Sequence, residues 1–551
     1  MRRRDRAGGL RRDHRRQHAH PRRRPARAAH PRARAARGRV PLVSRHPALG
    51  RRPPRGIRHG PRTRRRVDLR RPSPAGGDPL PAHDPADLPV SGAKTGSGPR
   101  RRVALVSLGC PKNQVDSELM LGRLVREGHE YVADPEQADT LIVNTCAFID
   151  RAREESVEAL LDAASWKQGR AGREVVAAGC LVQRCGDELA RELPELDALV
   201  GLDDVTRVTA RLPALGGAQA AQPAPRRSWG RPAAGLFSAA DPRLRLTPPW
   251  SAWVKIAEGC DQSCAFCAIP GFRGRVRSRP VDDLVAELRA LAAEGVVEAN
   301  LVAQDSTGYG RDLGLRDGLA ALVERLATTD GLPRWIRLHY LYPGRISRRL
   351  VEALRGHPRV VPYVDLPLQH ADPHVLRRMR RPGDPAAFLD QLAALDDALG
   401  GAGIRSAFIV GFPGETDRQF ETLCRFVADG PFDAVGVFAY SHEDGTPAAS
   451  LDDDVPPEVK DERRTQLEEI AAATSAERQR RRVGRVLDVL VEQVPGPDGP
   501  GTALGRWAGQ APEVDGHVLL EGFADARPGT LVRAGIVDGG PFELVGRPAG
   551  G

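Results

Sequence analysis

Six of the eight cysteines in this 551-residue chain fall into two groups of three. The tighter group lies in EGCDQSCAFCAIPG, residues 258–271, where Cys260, Cys264 and Cys267 are spaced C-x-x-x-C-x-x-C. A closed structural metal site takes four protein ligands, whereas a catalytic site keeps one position open. Three thiolates can hold three irons of a 4Fe–4S cubane and leave the fourth iron free for a ligand. Their tight spacing in a loop suits iron–sulfur ligation. The zinc alternative needs a fourth ligand, and the next Cys or His along the chain is His339. A disulfide would leave one cysteine over.

The second group is dispersed. Cys110, Cys146 and Cys180 each close a short apolar run: RRVALVSLGC, TLIVNTC and EVVAAGC. The runs read as strands. Between them lie helical patterns, one with Leu119, Leu121, Leu124 and Val125 on a face and one over about 152–164. A βαβαβ order predicts a doubly wound α/β domain, whose strand C-termini converge on one ligand-binding crevice. Three thiols aimed at one crevice form a second three-thiolate site. The alternative is three separate buried cysteines, a common fate of free Cys. Cys185 and Cys424 read as packing residues.

The elements that must position the tight group come next. Residues 213–249, rich in Ala, Pro, Gly and Arg, read as a linker or long mobile loop. Strands are then expected at 253–257, 299–303, 335–339, 363–366, 407–410 and 434–440, with helices between them. Six such units in 230 or so residues suggest a partial (β/α) barrel. The cysteine loop follows its first strand, at the C-terminal rim where barrel enzymes place their chemistry. On the same rim, Gln304, Asp305, Gln369 and His370 read either as ligand contacts or as strand-end polar groups satisfying backbone. FIVGFPGET, residues 408–416, carries Gly411, Gly414 and Glu415, and suits close approach of backbone to a ligand or a plain turn. A long amphipathic helix covers EVKDERRTQLEEIAAATSAERQRRRVG. After it, VLDVLVEQV, HVLLEG and GTLVRAGIVDG predict a small β-barrel.

The net charge of +12 points to nucleic acid until it is located. Residues 1–100 hold 29 Lys and Arg against 6 Asp, a net +23, which leaves −11 on the other 451. Those hundred residues lack Glu, Asn, Cys, Phe, Tyr and Trp, so they cannot bury a core and are expected to be disordered. They read as an Arg-rich nucleic-acid arm or, with more weight, as upstream sequence translated from a mis-set start. No secretory apolar core and no run of about eighteen apolar residues is present. The expectation is therefore a cytoplasmic, reducing location with no membrane partner, where clustered cysteines serve metals or redox chemistry.

The spacing of Cys260, Cys264 and Cys267 after a strand resembles the radical S-adenosylmethionine superfamily. SLGCPKN, NTCAFID and AAGCLVQR resemble the N-terminal domain of its methylthiotransferase family, and the resemblance covers about residues 102–549. It implies two 4Fe–4S clusters, one on Cys260, Cys264 and Cys267 and one on Cys110, Cys146 and Cys180. It also implies S-adenosylmethionine bound near Gly411, Gly414, Glu415, Gln304 and Gln369. The implied layout is a disordered Arg/Pro-rich extension at 1–101, an N-terminal doubly wound α/β domain at 102–213 and a linker at 214–245. A central partial (β/α) barrel of radical S-adenosylmethionine type at 246–478 and a small C-terminal antiparallel, TRAM-like β-barrel at 479–549 complete it.

Within the family, VDSE after SLGCPKN, EGCDQSCAFCAIPGFRG with RSRP, DLPLQHA and APEVDG are similar to the branch that modifies an aspartate of small-subunit ribosomal protein S-twelve. The transfer-RNA adenosine branch usually has Gln-Met at Pro111-Lys112 and Ser-Gly at His370-Ala371. Implied partners are that protein, or the ribosomal subunit carrying it, with an electron donor and a sulfur donor and without sequence-specific nucleic-acid binding. Residues 483–551 carry five Arg and no Lys against nine acids, a net −4, which suits a basic protein better than RNA. The alternatives are a transfer-RNA methylthiotransferase and a non-catalytic ribosome- or RNA-binding module.

Overall fold

The computed structural model describes residues 100–211, 226–229, 236–495 and 502–549. The readings of 1–99, and of 214–225 and 230–235 within the expected linker, lie outside the described residues.

Six parallel strands open the fold: β1 (Arg102–Ser107), β2 (Glu130–Tyr131), β3 (Thr140–Thr145), β4 (Glu174–Gly179), β5 (Ala198–Val200) and β6 (Arg226–Ser228). Their order is β2-β1-β3-β4-β5-β6. β3, TLIVNT, is buried at every position, as a parallel strand covered on both faces should be. Its crossovers are α1 (Pro111–Arg126), α2 (Asp150–Gln168) and α3 (Cys180–Glu192). Leu119, Met120 and Leu124 of α1 pack on Val103, Ile142 and Val176. Leu160 of α2 and Leu181 and Leu189 of α3 pack with Leu141, Val143 and Ala177 from the other face. The chain reverses direction across the sheet between β1 and β3, and such switch points are where open α/β sheets bind ligands.

Part of the expected linker is built into the structure. Residues 226–228 form β6, paired in parallel with β5. Residues 236–245 are packed: the Arg279 guanidinium lies 4.4 Å from the Phe237 ring centroid, and Arg243 bridges Glu118 and Glu287. Composition hid both, because the partners lie far away in sequence.

The second sheet system begins with β7 (Ser251–Lys255), β8 (Ala257–Glu258), α4 (Ile269–Arg273), β9 (Arg277–Ser278) and α5 (Val281–Ala293). It continues with β10 (Glu298–Val302), α6 (Gly318–Ala327), β11 (Trp335–Leu338), α7 (Arg348–Arg355), β12 (Tyr363–Asp365), α8 (Pro373–Arg378) and α9 (Pro385–Ala398). β13 (Gly403–Val410), α10 (Asp417–Asp429), β14 (Ala434–Ala439) and α11 (Pro457–Arg480) complete it. β7, β10 and β11 pair in parallel, as do β12, β13 and β14, and a bridge from Ile336 to Val360 links the two triplets. The result is the expected partial barrel. In β13, Ile404, Phe408 and Val410 are buried under the helices, while Arg405, Ala407 and Ile409 are half-buried on the inner side. Helix starts carry their caps: Ser347 for α7, Asp372 for α8, and a Thr416–Gln419 capping box for α10.

The tail closes a five-stranded barrel from β15 (Val486–Gln493), β16 (Thr502–Trp507), β17 (His517–Glu521), β18 (Leu531–Gly540) and β19 (Glu543–Pro548). It is antiparallel, as expected, except that β17 and β19 pair in parallel. No described helix is long and apolar enough to cross a membrane.

This barrel docks on the start of the core strands through buried charge. Glu298 accepts from Arg506 at 2.6 Å and from Arg337 at 2.8 Å, and Asp515 accepts from Tyr363 and Arg405, both at 2.6 Å. Burial pushes the Glu298 carboxyl up, but Arg506 and Arg337 outweigh it and hold it far below its ordinary 4.5. A depressed folded pKa gives stability that is present above the unfolded value and lost as pH falls below it. Glu298→Gln leaves buried Arg337 without its charge partner and Arg506 with only Glu492, and is expected to cost about 3 kcal/mol at neutral pH. Thermal melts should show the wild type losing stability as pH drops below 4.5 and the variant losing less over that range. Parallel pH profiles for the two proteins would contradict this.

Candidate functional site

The dispersed triplet sits at the switch point of the first sheet. Cys110 precedes the first turn of α1, Cys146 directly follows β3, and Cys180 follows β4 and begins α3. The approach of these ends is close. Gly109 has φ +87°, and a Cβ there would lie 2.6 Å from the Cys146 Cβ. Asn113 locks the two ends, its side-chain amide donating to the carbonyls of Leu108 (2.7 Å) and Thr145 (3.2 Å).

Each of the three thiols feels its neighbours. Burial, and then Cys110 and Cys180, push Cys146 up to about 12. Burial pushes Cys180 to about 11, against the pull of Arg273. Cys110 is also pushed up by burial, but Lys112, Arg273 and the backbone amides of Asn113 and Lys112 outweigh this and lower it.

The tight triplet occupies the excursion between β8 and β9, which pair antiparallel through Ala257–Ser278 and Glu258–Arg277. The loop is pinned by backbone hydrogen bonds from Ala265 to the Met379 carbonyl (2.9 Å) and from Ala448 to the Ala265 carbonyl (2.8 Å). Gln262 donates to Asp305 at 2.6 Å, so the rim aspartate acts as a clamp on the cysteine loop. Arg381 Nη1 lies 3.7 Å from Cys264 Sγ, and the Tyr342 hydroxyl also engages Cys264. Burial raises Cys260 to about 11, with Asp305 and Cys264 adding to it, and Cys267 to about 12, with Cys264 and Cys260 adding. Iron ligation at these positions must therefore expel thiol protons.

Gly259, immediately before the loop, has φ +82°, and a Cβ there would sit 2.1 Å from the Arg275 carbonyl oxygen. Gly259→Ala must force the strand pair apart. Its expected signature is loss of iron from the tight triplet after anaerobic reconstitution, read as roughly half the wild-type iron content. Full iron retention would contradict this.

Among the described residues, no three His, Cys, Asp or Glu side chains are arranged to clasp a single metal ion. His339, the zinc alternative's fourth ligand, is committed inside the barrel. Its Nε2 is 3.3 Å from Asn300, its Nδ1 is 3.6 Å from Asp365, and its ring lies 5.2 Å from Trp253. A cubane takes each thiolate on a different iron, so its donors need not meet at one point. Two sets of three soft sulfur donors fit that group.

Arg273, the last residue of α4, links Cys180 of the dispersed triplet to Glu258, two residues before the tight one. It is 3% exposed, and donates from Nη2 to Cys180 Sγ at 2.9 Å and from Nη1 to Glu258 at 2.5 Å. Asp116 of α1 lies 3.5 Å from Nη2 and accepts from Lys255 at 2.5 Å, and Lys255 also donates to Glu258 at 2.7 Å. Burial pushes the Glu258 carboxyl up, yet Arg273 and Lys255 outweigh it and hold it well below the usual carboxylate range. Arg273, Glu258, Lys255 and Asp116 do not stand out by motif, because Asp116 meets Lys255 and Arg273, and Cys180 meets Arg273, across 93 to 157 residues of chain. Glu258 and Arg273 do flank the cysteine loop in EGC and GFRG, and an ionisable pair framing a metal motif was the available signal.

The other rim residues divide. Gln304 donates to Glu258 at 2.7 Å, while its Oε1 is buried with no hydrogen-bond partner, an acceptor left for a ligand. Gln369 has φ +75° at the end of the β12 segment, a strained conformation for a non-glycine residue. Gly411 and Gly414 also have positive φ; a Cβ at Gly411 would strike the Lys460 stem, and one at Gly414 would meet the movable guanidinium end of Arg378. Glu415 is fully engaged, lying 3.6 Å from His370, pairing with Arg463 at 3.1 Å and accepting from the Phe412 amide at 3.2 Å. His370 is wholly buried behind it. Cys185 packs against the first core and Cys424 against the second.

Three family models match the chain. Residues 102–201 match "Uncharacterized protein family UPF0004", residues 254–427 the radical SAM superfamily, and residues 483–548 the TRAM domain. The ribosomal protein uS12 methylthiotransferase RimO of Anaeromyxobacter sp. (strain K) is 46% identical over 81% of this chain and 93% of its own length. The protein of the same name from Geobacter sulfurreducens is 42% identical over 82% of this chain and 99% of its own. A solved radical S-adenosylmethionine methyltransferase, TsrM of Kitasatospora setae, is similar at a TM-score of 0.47 and 14% identity, over 64% of this chain and 77% of that one.

Proposed function

The chain belongs to the family of ribosomal protein uS12 methylthiotransferases named RimO, within the radical S-adenosylmethionine superfamily, and we propose that it places a methylthio group on the β-carbon of one aspartate of ribosomal protein S12. The observation that carries the proposal is the pair of three-cysteine sets, each following strand C-termini, with a buried arginine running from Cys180 to Glu258, two residues before the tight set. Cys260, Cys264 and Cys267 would hold one 4Fe–4S cluster and Cys110, Cys146 and Cys180 another. When bound, these groups and S-adenosylmethionine supply the electron, the hydrogen-abstracting radical and the methylated sulfur. Acid–base chemistry alone does not readily activate a carbon beside a carboxylate, so a radical route suits this substrate.

The chain's own residues position and shield. The Gln262–Asp305 hydrogen bond and the Ala265–Met379 contact fix the tight loop. Arg273 and Lys255 neutralise Glu258 and Asp116 in a water-poor junction, where uncompensated charge would be costly. Gln304, fixed by Glu258 and with its oxygen free, is suited to accept a hydrogen bond from an ammonium such as that of S-adenosylmethionine. Gln369, Gly411, Gly414 and Glu415 shape the rest of that rim.

Tandem mass spectrometry after incubating reconstituted enzyme with S12 or with unmodified transfer RNA tests the proposal. One methylthio group replacing hydrogen on an S12 aspartate is expected. Modification of transfer RNA with S12 unchanged would favour the adenosine branch. No modification of either would favour the binding-module alternative. An electron donor and a sulfur donor are further partners of the proposed reaction.

A further inference from the structure

One buried cation at this junction has no carboxylate partner among the described residues. Lys112, in the first turn of α1 and two residues after Cys110, is 7% exposed. Its Nζ lies 3.5 Å from the centroid of the Tyr340 ring. The groups that act on it most are Tyr340, Cys110 and Arg273, and among the described residues no carboxylate pairs with it. The carboxylate near Tyr340 is Asp365, which accepts from the Tyr340 amide at 3.0 Å and faces His339. The other cation of the lumen, Arg405, is already paired with Asp515. Arg273, Lys255, Arg337, Arg405 and Arg506 each have a carboxylate beside them, whereas Arg381, like Lys112, lies on a tyrosine ring next to a cysteine of a triplet. Lys112 has the Tyr340 ring face and the Cys110 thiol beside it, and an ammonium withdrawn from water without a carboxylate is costly.

The surroundings suit a ligand. Tyr340 follows β11 at the rim and has φ +58°, a strained backbone for an aromatic residue and a feature that gathers at functional sites. Gln369, Arg405, Ala407 and Gly436 are half-buried along the inner faces of neighbouring strands, and Phe438 is 45% exposed. The inner strand faces near Tyr340 are therefore partly accessible and partly apolar, and Lys112 is a cation there without a carboxylate.

We infer that Lys112 is the substrate-binding residue that takes the side-chain carboxylate of the target aspartate. This rests on the function proposed above and deepens it. The carboxyl carbon is bonded directly to the β-carbon. Anchoring the carboxylate beside Cys110 therefore sets the carbon to be modified next to the dispersed triplet. A neutral asparagine or a nucleobase has no charge to offer this ammonium, so the same contact gives specificity.

The test compares wild type and Lys112→Met, both reconstituted, on S12 carrying either Asp or Asn at the position that wild-type enzyme modifies. Iron content and the visible cluster spectrum serve as controls that the dispersed site is intact. The expected result is a KM for the Asp protein raised about 30-fold in the variant, the scale of a lost desolvated charge pair. Binding of the Asn protein, read by competition, should be equally weak in both enzymes. An unchanged KM with intact clusters would overturn the inference and leave the function standing. So would loss of cluster iron with an unchanged Asp-over-Asn preference, which would make Lys112 a partner of the cluster. Wild-type enzyme that leaves S12 unmodified would overturn the function and this inference together.

Discussion

Cys264→Ala is expected to abolish release of deoxyadenosine from S-adenosylmethionine while leaving the dispersed triplet loaded with iron. Cys264 is the member of the tight set contacted by both Tyr342 and Arg381, and it lies on the Ala265 segment that is hydrogen-bonded on both sides. Alanine removes one of three thiolates from a site with no spare donor. A cluster bound by two cysteines and no fourth ligand is poorly held. The effect should exceed about a thousandfold in turnover, because the proposed radical chemistry rests on the group held by this triplet. Anaerobic chromatography of the nucleoside product, beside an iron assay, reads both halves. Undiminished deoxyadenosine would contradict the assignment of this triplet.

The second large effect is expected at Arg273. One guanidinium serves Glu258, Asp116 and Cys180 at once, and Lys255 is the other described cation on the two acids. Arg273→Met leaves two buried carboxylates with one ammonium between them, and removes the hydrogen bond to Cys180. Breaking a buried pair by deleting one partner costs about 3–5 kcal/mol. Because Glu258 is held below its ordinary 4.5 mainly by Arg273, its stabilising contribution is present above that pH and fades below it. The variant should therefore lose most stability near neutral pH and approach the wild type in acid. Arg273→Lys should recover part of the stability but not the fork that spans Glu258 and Cys180. Denaturant melts across pH read the first effect, and cluster spectra of Arg273→Lys the second. Equal stability of wild type and Arg273→Met at neutral pH would contradict the account.

Much of the architecture was visible in local patterns. TLIVNT is a continuous apolar run because both faces of β3 are covered, and GIRSAFIV alternates because one face of β13 looks inward. Cysteines at strand ends could be placed on one crevice before any coordinates, since sheet topology alone sends those ends together. What stayed hidden depends on contacts distant in sequence. β6 lies in an Ala- and Pro-rich stretch and exists through its pairing with β5. The parallel β17–β19 pair depends on how the small barrel closes. Arg273 meets Cys180 across 93 residues, and Lys255 meets Asp116 across 139. Around Gly411 and Gly414 the sequence does not show that Lys460 and Arg378, distant in the chain, pack against the glycine-rich turn.

The account turns on two independent three-cysteine clusters, and iron stoichiometry tests that most directly. Anaerobically reconstituted wild type should hold about eight irons per chain. Alanine at Cys260, Cys264 and Cys267 together should leave about four, and alanine at Cys110, Cys146 and Cys180 together should also leave about four. Four irons in the wild type, or an unchanged count in either triple variant, would contradict it.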